Sequence, residues 1–172
     1  MTDTNGQNSV SPSHTISVLV HNRPGVLSRI AQVFARRGYN IDSLVVSAAH
    51  IEGFSRMTIE SSGDPTVLDQ IIKQLDKLVD VVRAAEHVGG ESVVRELALF
   101  KVTSDVSTRT ELLQIVDVFR AKTVDISDES LCVEITGDTE KIDAFEGMLN
   151  KFGILEMIRS GKLIMARGKE AT

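Results

Sequence analysis

The chain has 172 residues, of which 42% are hydrophobic and 25% charged, and its formal net charge is −5. This composition is ordinary for a globular protein, and the acidic balance argues against nucleic acid or an anionic membrane as the main partner. The single cysteine, Cys132, excludes a disulfide framework, and no apolar run approaches the roughly 20 residues of a membrane span.

Along the first half of the chain, the pattern of apolar residues predicts the element order β-α-β-β-α-β. A polar segment without signal or transit character comes first, and we expect a disordered tail over 1–13 and a cytoplasmic protein. Gly38 is suited to end the first helix, and Asp64 to cap the second. The elements are expected, in chain order, at 15–20 (strand), 24–37 (helix), 40–48 and 54–61 (strands), 65–77 (helix) and 78–85 (strand).

The second half of the chain repeats this pattern. Segment 59–83 aligns with 133–159, and segment 30–41 aligns with 115–126, which indicates a duplicated supersecondary unit. The repeated elements are expected at 95–103 (strand), 108–121 (helix), 122–127 and 130–136 (strands), 138–151 (helix), 153–159 (strand) and 162–166 (short strand).

This element order is that of the split βαβ unit of ferredoxin-like folds. We therefore predict an α+β protein of two tandem ferredoxin-like βαββαβ domains, at 14–88 and 94–168, joined by a linker at 89–93. Each sheet would have one face covered by helices and one bare face. Because bare faces often pack against a second copy, we also expect a homodimer.

The sequence carries no familiar signature of a catalytic or metal site. The patterns GxGxxG, GxxxxGK[ST], HExxH and GxSxG are absent, as is any CxxC pair. The four histidines, His14 (in the tail), His21, His50 and His87, are not spaced as metal ligands, so we expect surface positions. Only His21 is kept as a candidate for contact with a ligand. We expect no catalytic residue, metal or cofactor in this chain.

The candidate functional segment is NRPG, residues 22–25, between an apolar strand and a helix. Gly25 allows a ligand to approach the backbone closely, and Pro24 presets the first helical turn. The amides of residues 25–27 would then point out of the positive end of the helix dipole, which suits a carboxylate. Asn22 could cap the helix or accept from an ammonium group. Two interpretations stay open, a plain capped helix start and a cradle for a small amino acid.

Residues 14–90, with the stretch VHNRPGVLSRIAQVFARRGYNIDSL, resemble the ACT domain, a ligand-binding module of amino-acid metabolism. A wider resemblance, over about 14–168, is to the small regulatory subunits of acetolactate synthase (acetohydroxyacid synthase). It rests on RPGVLSRIAQVFARRGYNIDSLVV, SRMTIE and QLDKLVDVVR, followed by a second domain that starts RELALFKV.

The resemblance implies a protein with no acetolactate synthase activity of its own. It would bind the large catalytic subunit, which is expected to carry thiamine diphosphate, Mg²⁺ and FAD, and would raise its activity. It would also confer feedback inhibition by branched-chain amino acids, chiefly valine. Effector sites in this family lie between the ACT domains of a dimer. The positions carried over are Asn22, Pro24, Gly25, Val26 and Leu27 of one copy, with Asn40 and Ile41 of the other.

The second half of the chain departs from the family's effector pattern. Its loop reads SDVSTRTEL without Pro-Gly, and Asp125 aligns with Asn40. The C-terminal domain is therefore expected to have the fold without the amino-acid site, and to serve dimer stability or contact with the catalytic subunit. For that contact we also expect a role for the hairpin at 48–56 and for the arginines of the first helix, Arg29, Arg36 and Arg37, although a solvated face is the simpler interpretation.

Two other functions remain open from the sequence. The first is a free-standing ACT-type amino-acid sensor that acts on another enzyme or regulator, and binding to a large acetolactate synthase subunit would distinguish it. The second is a small ferredoxin-fold enzyme such as a phosphatase. It would need an Arg/Asn pair set for phosphate, which NRPG imitates weakly, and the acidic chain offers no base beside it.

Overall fold

The computed structural model describes residues 13–87, 90, 92–169 and 172. The chain divides into two compact units, with the boundary between residues 91 and 92. Most of the predicted tail, 1–12, and residues 89 and 91 of the predicted linker lie outside the described residues. Both predicted segments are too long, because Ser13 begins a strand and Ser92 begins another. No helix among the described residues is long and apolar enough to cross a membrane.

The N-terminal unit has the predicted order β-α-β-β-α-β. Its elements are β1 (Ser13–His21), α1 (Val26–Arg36), β2 (Ser43–Ala48), β3 (Phe54–Ser62), α2 (Pro65–Leu75) and β4 (Val81–Glu86). The strands form an antiparallel sheet of order β2-β3-β1-β4, which is the ferredoxin-like order. The last strand is shorter than predicted because turns occupy 76–80.

The C-terminal unit repeats this topology. Its elements are β5 (Ser92–Thr103), α3 (Arg109–Val118), β6 (Lys122–Ile126), β7 (Ser130–Gly137), α4 (Thr139–Leu149), a 3-10 turn (Asn150–Phe152), β8 (Ile154–Arg159) and β9 (Leu163–Ala166). The sheet order is β6-β7-β5-β8, and β9 pairs with the first residues of β5. The predicted fold, two ferredoxin-like α+β units in tandem, is confirmed.

Each unit buries one core between its sheet and its pair of helices. In the N-terminal unit one face of α1 is buried, with Ile30 and Phe34 almost fully enclosed. In the C-terminal unit Phe100 and Phe145 meet edge to face at 5.5 Å. Burial of one such side chain contributes about 1.5–3 kcal/mol to the stability of its unit.

A contact between polar side chains joins the first and last long strands at the same end of each unit. In the N-terminal unit Nδ1 of His14 lies 2.7 Å from Oε1 of Glu86, and the histidine is 8% exposed. The prediction that His14 lies in a surface tail is therefore wrong. In the C-terminal unit Nε of Arg159 donates to Oε2 of Glu96 at 3.2 Å. The two pairs are equivalent, since Glu86 is the strand partner of Ile16 and Arg159 that of Ala98.

Carboxylates satisfy the backbone amides at the start of three of the four helices. Asp64 accepts from the amide of Thr66 at 2.8 Å and so caps α2, as predicted, and Asp138 caps α4 in the same way. Before α3, the Asp105 carboxylate accepts from the amides of Ser107 and Thr108. These bonds, with those from the two hydroxyl groups, lower the pKa of Asp105 to about 2. At the start of α1, by contrast, no side chain accepts from the backbone amides.

We predict that Asp105→Ala lowers the melting temperature at pH 7. The carboxyl pKa is about 2 in the folded protein and about 3.9 in the unfolded chain. Its stabilising effect is therefore fully present above about pH 4 and is lost as the pH falls through about 2. Thermal unfolding followed by circular dichroism from pH 7 to pH 2 should show the difference between variant and wild type shrinking over that window.

The matched control is Asp117→Ala, which removes an exposed aspartate near the end of α3. A carboxylate at this end of a helix opposes the dipole, so its removal should not lower the melting temperature. Equal losses in the two variants at pH 7 would contradict the role given to the Asp105 cap.

Candidate functional site

The loop between β1 and α1 differs from the other helix starts in its backbone. Gly25, the residue before α1, has φ 80° and ψ −4°, which is the left-handed region that favours glycine. Pro24 lies in the turn, so the helix begins two residues later than predicted, at Val26. The amide of Asn22 donates to the carbonyl of Gly53 at 2.8 Å and ties the loop to the β2–β3 hairpin. The Asn22 side chain does not cap the helix, so one of its two predicted roles is excluded.

Several backbone amides of this loop remain open to a ligand. Within the described part of the chain, those of Gly25, Leu27 and Ser28 donate to no protein acceptor, whereas that of Val26 makes a long bond of 3.4 Å to the carbonyl of Arg23. Two of the three predicted amides are thus free, and Ser28 adds one that the sequence did not indicate. Together they offer an anion the positive end of the α1 dipole.

The side chains at the start of α1 divide between core and solvent. Val26 is buried in the core, so it can offer a ligand only its backbone, whereas Leu27 is 43% exposed. Pro24 and Asn22 are exposed as well. The ring of His21 packs on that of Phe54, with centroids 4.7 Å apart. The loop therefore combines free amides, one exposed aliphatic side chain and one exposed amide side chain, which are the groups that an aliphatic amino acid needs.

A cluster of charges lies beside the loop and was not predicted. Asp80, in the turn before β4, is 14% exposed at its side chain and accepts from Nη2 of Arg29 at 2.5 Å. Nη1 of Arg23 lies 3.8 Å from the same carboxylate. The backbone takes part too, because the carbonyl of Asp80 accepts from the amide of His21 at 2.9 Å. Arg29 is still about half exposed, so the ion pair lies on the solvated face of α1.

Asn40 and Ile41 lie at the opposite end of the unit from this loop. Asn40 accepts a bond of 2.6 Å at its carbonyl from Ser61, near the end of β3, whereas the loop is tied to Gly53, just before β3. At the rise of a strand, eight residues separate the two ends by about 25 Å. The Asn40 side chain donates to Asp42 at 2.8 Å, and Ile41 packs against the core. The two halves of the predicted site do not meet within one chain.

The equivalent loop of the C-terminal unit is closed by its own residues. The amide of Ser104 donates to the carbonyl of Glu129 as that of Asn22 donates to Gly53, which establishes the correspondence of the two loops. Because Ser104 is equivalent to Asn22, residues 107–109 are equivalent to residues 25–27. Two of their amides are held by the Asp105 carboxylate, and the third, of Arg109, by the Asp105 carbonyl. No amide of that trio is left for a ligand.

The second half of the predicted site is also missing from the C-terminal unit. Six residues, 37–42, connect α1 to β2, and only three, 119–121, connect α3 to β6. Asp125, predicted as the counterpart of Asn40, instead lies inside β6 opposite Cys132. That correspondence is wrong, because the shorter connection removes the segment in which Asn40 lies. Among the described residues, no group of three or more His, Cys, Asp or Glu is placed to hold a metal ion.

Comparisons with known proteins agree with this architecture. A family model described as an AHAS small subunit-like ACT domain matches residues 16–83, and one described as the small subunit of acetolactate synthase matches 95–168. The acetolactate synthase small subunit of Mycolicibacterium smegmatis is 48% identical over 158 residues, covering 92% of this chain and 93% of the relative. A probable acetolactate synthase small subunit of Archaeoglobus fulgidus is 45% identical and covers 91% and 98%.

A solved structure supports the same assignment. The crystal structure of the acetolactate synthase small subunit from Thermotoga maritima aligns with a TM-score of 0.83 at 40% identity, over 92% of this chain and 99% of that one. The resemblance noted in the sequence is therefore confirmed over both units. The chain belongs to the family of acetolactate synthase small subunits.

Proposed function

We propose that this protein is a non-catalytic regulatory subunit of acetolactate synthase. In this proposal it binds the large catalytic subunit, raises its activity and transmits inhibition by branched-chain amino acids, chiefly valine. Thiamine diphosphate, Mg²⁺ and FAD would belong to the catalytic subunit, and no residue of this chain is assigned to them. The observation that carries the proposal is the open start of α1, whose free amides lie beside Arg29 and Asp80.

The chemistry of the loop suits an aliphatic α-amino acid. Its carboxylate would accept from the amides of Gly25, Leu27 and Ser28, its ammonium would face the Asn22 amide oxygen, and its side chain would lie on Leu27. Valine has about eight non-hydrogen atoms, and at about half the best ligand efficiency it gains about 6 kcal/mol. That energy corresponds to a dissociation constant of tens of micromolar, which suits a sensor of a metabolite pool.

The position of Asn40 supports a site shared by two chains. It lies about 25 Å from the loop along β3, so a second copy has to bring its own Asn40 and Ile41 to the loop. A homodimer would then hold two equivalent effector sites. Binding that draws two chains together can favour one arrangement of the complex over another, and a coupling of about 1–3 kcal/mol is enough for regulation.

The first experiment is reconstitution with a large acetolactate synthase subunit. We expect the small subunit to raise the rate of acetolactate formation and to make that rate sensitive to valine, with lysine as the control amino acid. The catalytic subunit should be insensitive to valine without it. Failure to bind the large subunit, together with calorimetric binding of valine, would favour a free-standing amino-acid sensor.

We predict that Gly25→Asp abolishes valine inhibition in the reconstituted complex and leaves activation intact. The added Cβ would lie 3.3 Å from Nη1 of Arg29, so the new carboxylate would occupy the space of the ligand's own carboxylate and repel it. The measurement is the acetolactate synthase rate against valine concentration.

The control for this prediction is Gly25→Asn. Asparagine tolerates the left-handed backbone of residue 25 and has nearly the same size as aspartate, without its charge. We expect this variant to keep its inhibition at a raised valine concentration. Retained inhibition in Gly25→Asp would contradict the placement of the effector at this loop.

We also predict that two inactive variants restore part of the inhibition when they are mixed. Gly25→Asp damages the loop half of the site and Asn40→Ala damages the other half. In a mixed dimer, one of the two sites combines the intact loop of one chain with the intact Asn40 of the other. Subunits unfolded and refolded together, then added to the large subunit, should regain inhibition by valine that neither variant shows by itself.

The controls are each variant refolded alone and the two mixed without exchange of subunits. A site formed within a single chain would stay broken in every chain of the mixture. No recovery despite demonstrated exchange would therefore rule out the shared site.

A further inference from the structure

We propose that Arg29, held in place by Asp80, is the residue that selects a free carboxylate on the effector. This inference rests on the proposed effector site and adds to it the group that distinguishes an amino acid from its uncharged derivatives. Asp80 acts through Arg29 and is a positioning residue.

The orientation of the Arg29 side chain is the first observation. Its Nη2 donates to Oδ2 of Asp80 at 2.5 Å, and its Nη1 lies 3.3 Å from the position that a Cβ on Gly25 would take. One edge of the guanidinium is therefore held by a mostly buried carboxylate, while another lies beside the residue whose amide is free. Since arginine binds carboxylates through a planar fork of donors, the edge beside Gly25 remains available to a ligand.

The local balance of charge is the second observation. Two guanidinium groups, of Arg23 and Arg29, share the one carboxylate of Asp80, so the cluster carries a surplus positive charge. This surplus lies at the positive end of the α1 dipole. An uncharged ligand would gain little from it, whereas a carboxylate would gain from the amides and the cation together.

The C-terminal unit gives the third observation, because there the positions of the two arginines carry carboxylates and the position of Asp80 carries no charge. Asp105 is equivalent to Arg23, and Glu111 is equivalent to Arg29. Gly153 is equivalent to Asp80, since its carbonyl accepts from the Thr103 amide as the Asp80 carbonyl accepts from the His21 amide. In that unit a carboxylate already occupies the equivalent amides. The β1–α1 loop has arginines and amides without a protein acceptor, whereas the β5–α3 loop has carboxylates and amides that are already hydrogen-bonded.

The test compares valine with valinamide, which has the same side chain and ammonium group but no carboxylate. The reconstituted complex is assayed for inhibition by both, and the ratio of their half-inhibitory concentrations is the readout. We expect wild type to prefer valine strongly, and Arg29→Gln to reduce that preference by about tenfold or more through weaker binding of valine alone. Arg29→Lys should keep part of the preference because the charge remains.

Asp80→Asn tests the positioning role. It leaves the Arg29 charge in place and removes the carboxylate that holds it, so the preference for valine should fall, though less than in Arg29→Gln. The matched control is Glu111→Gln, which breaks the exposed Glu111–Lys151 pair at the equivalent helix position and should leave the ratio unchanged. Melting temperatures of all variants show whether each one is folded.

The outcomes distinguish the proposed effector site from the role of Arg29 within it. A wild-type complex that valine does not inhibit would overturn both the proposed effector site and this inference. Inhibition by valine with an unchanged ratio in Arg29→Gln would overturn only the role of Arg29. Tighter valine binding in Asp80→Asn would show that Asp80 competes with the ligand for Arg29 and does not position it. If Arg29→Gln weakened inhibition by valine and by valinamide equally, the Arg29–Asp80 contact would be purely structural and the inference would be overturned.

Discussion

The amide groups at the start of a helix need acceptors from outside the helix, and this requirement organises both units of the protein. The chain supplies those acceptors itself before α2, α3 and α4, through Asp64, Asp105 and Asp138. Before α1 it supplies no side-chain acceptor, and Gly25 adopts a left-handed backbone conformation at the point where the helix starts. In the proposed effector site, the carboxylate of a ligand would accept from the amides at this helix start. The two units thus share a fold and differ in whether that position is filled from within.

The elements and cores could be predicted from the sequence because they depend on local periodicity. The first helix and the Asp64 cap are formed by neighbours in the chain, and the structure confirms both. Asp80 could not be found in this way, since its contact with Arg29 joins positions 51 residues apart. The match of Asn40 to Asp125 failed for another reason. The alignment matched similar residues across a helix-to-strand connection that is three residues shorter in the C-terminal unit. The strand register shows that Asp125 lies within β6 and not in that connection.

The proposed division of the site between two chains follows from the length of β3. Its two ends fix the β1–α1 loop and the Asn40 segment at opposite ends of the sheet, through bonds at Gly53 and Ser61. A single unit is too rigid to bring them together, because both bonds lie on one continuous strand. Sensitivity to an amino acid would then require assembly, and a lone chain would hold two half-sites that bind poorly.

The side-chain pairs His14–Glu86 and Arg159–Glu96 affect which strands of a duplicated chain pair with each other. Both units offer a sheet with the same order, so during folding β5 could compete with β1 for the place beside β4. In that arrangement Glu96 would face Glu86, and His14 would face Arg159 in the converse one. The first exchange would bring the carboxylates of Glu96 and Glu86 together without a cation, and the second would separate Arg159 from the buried Glu96 carboxylate, so both would be less stable than the native pairing. The carboxylate lies on the last strand, β4, of the N-terminal unit and on the first strand, β5, of the C-terminal unit. This difference favours pairing of each strand within its own unit.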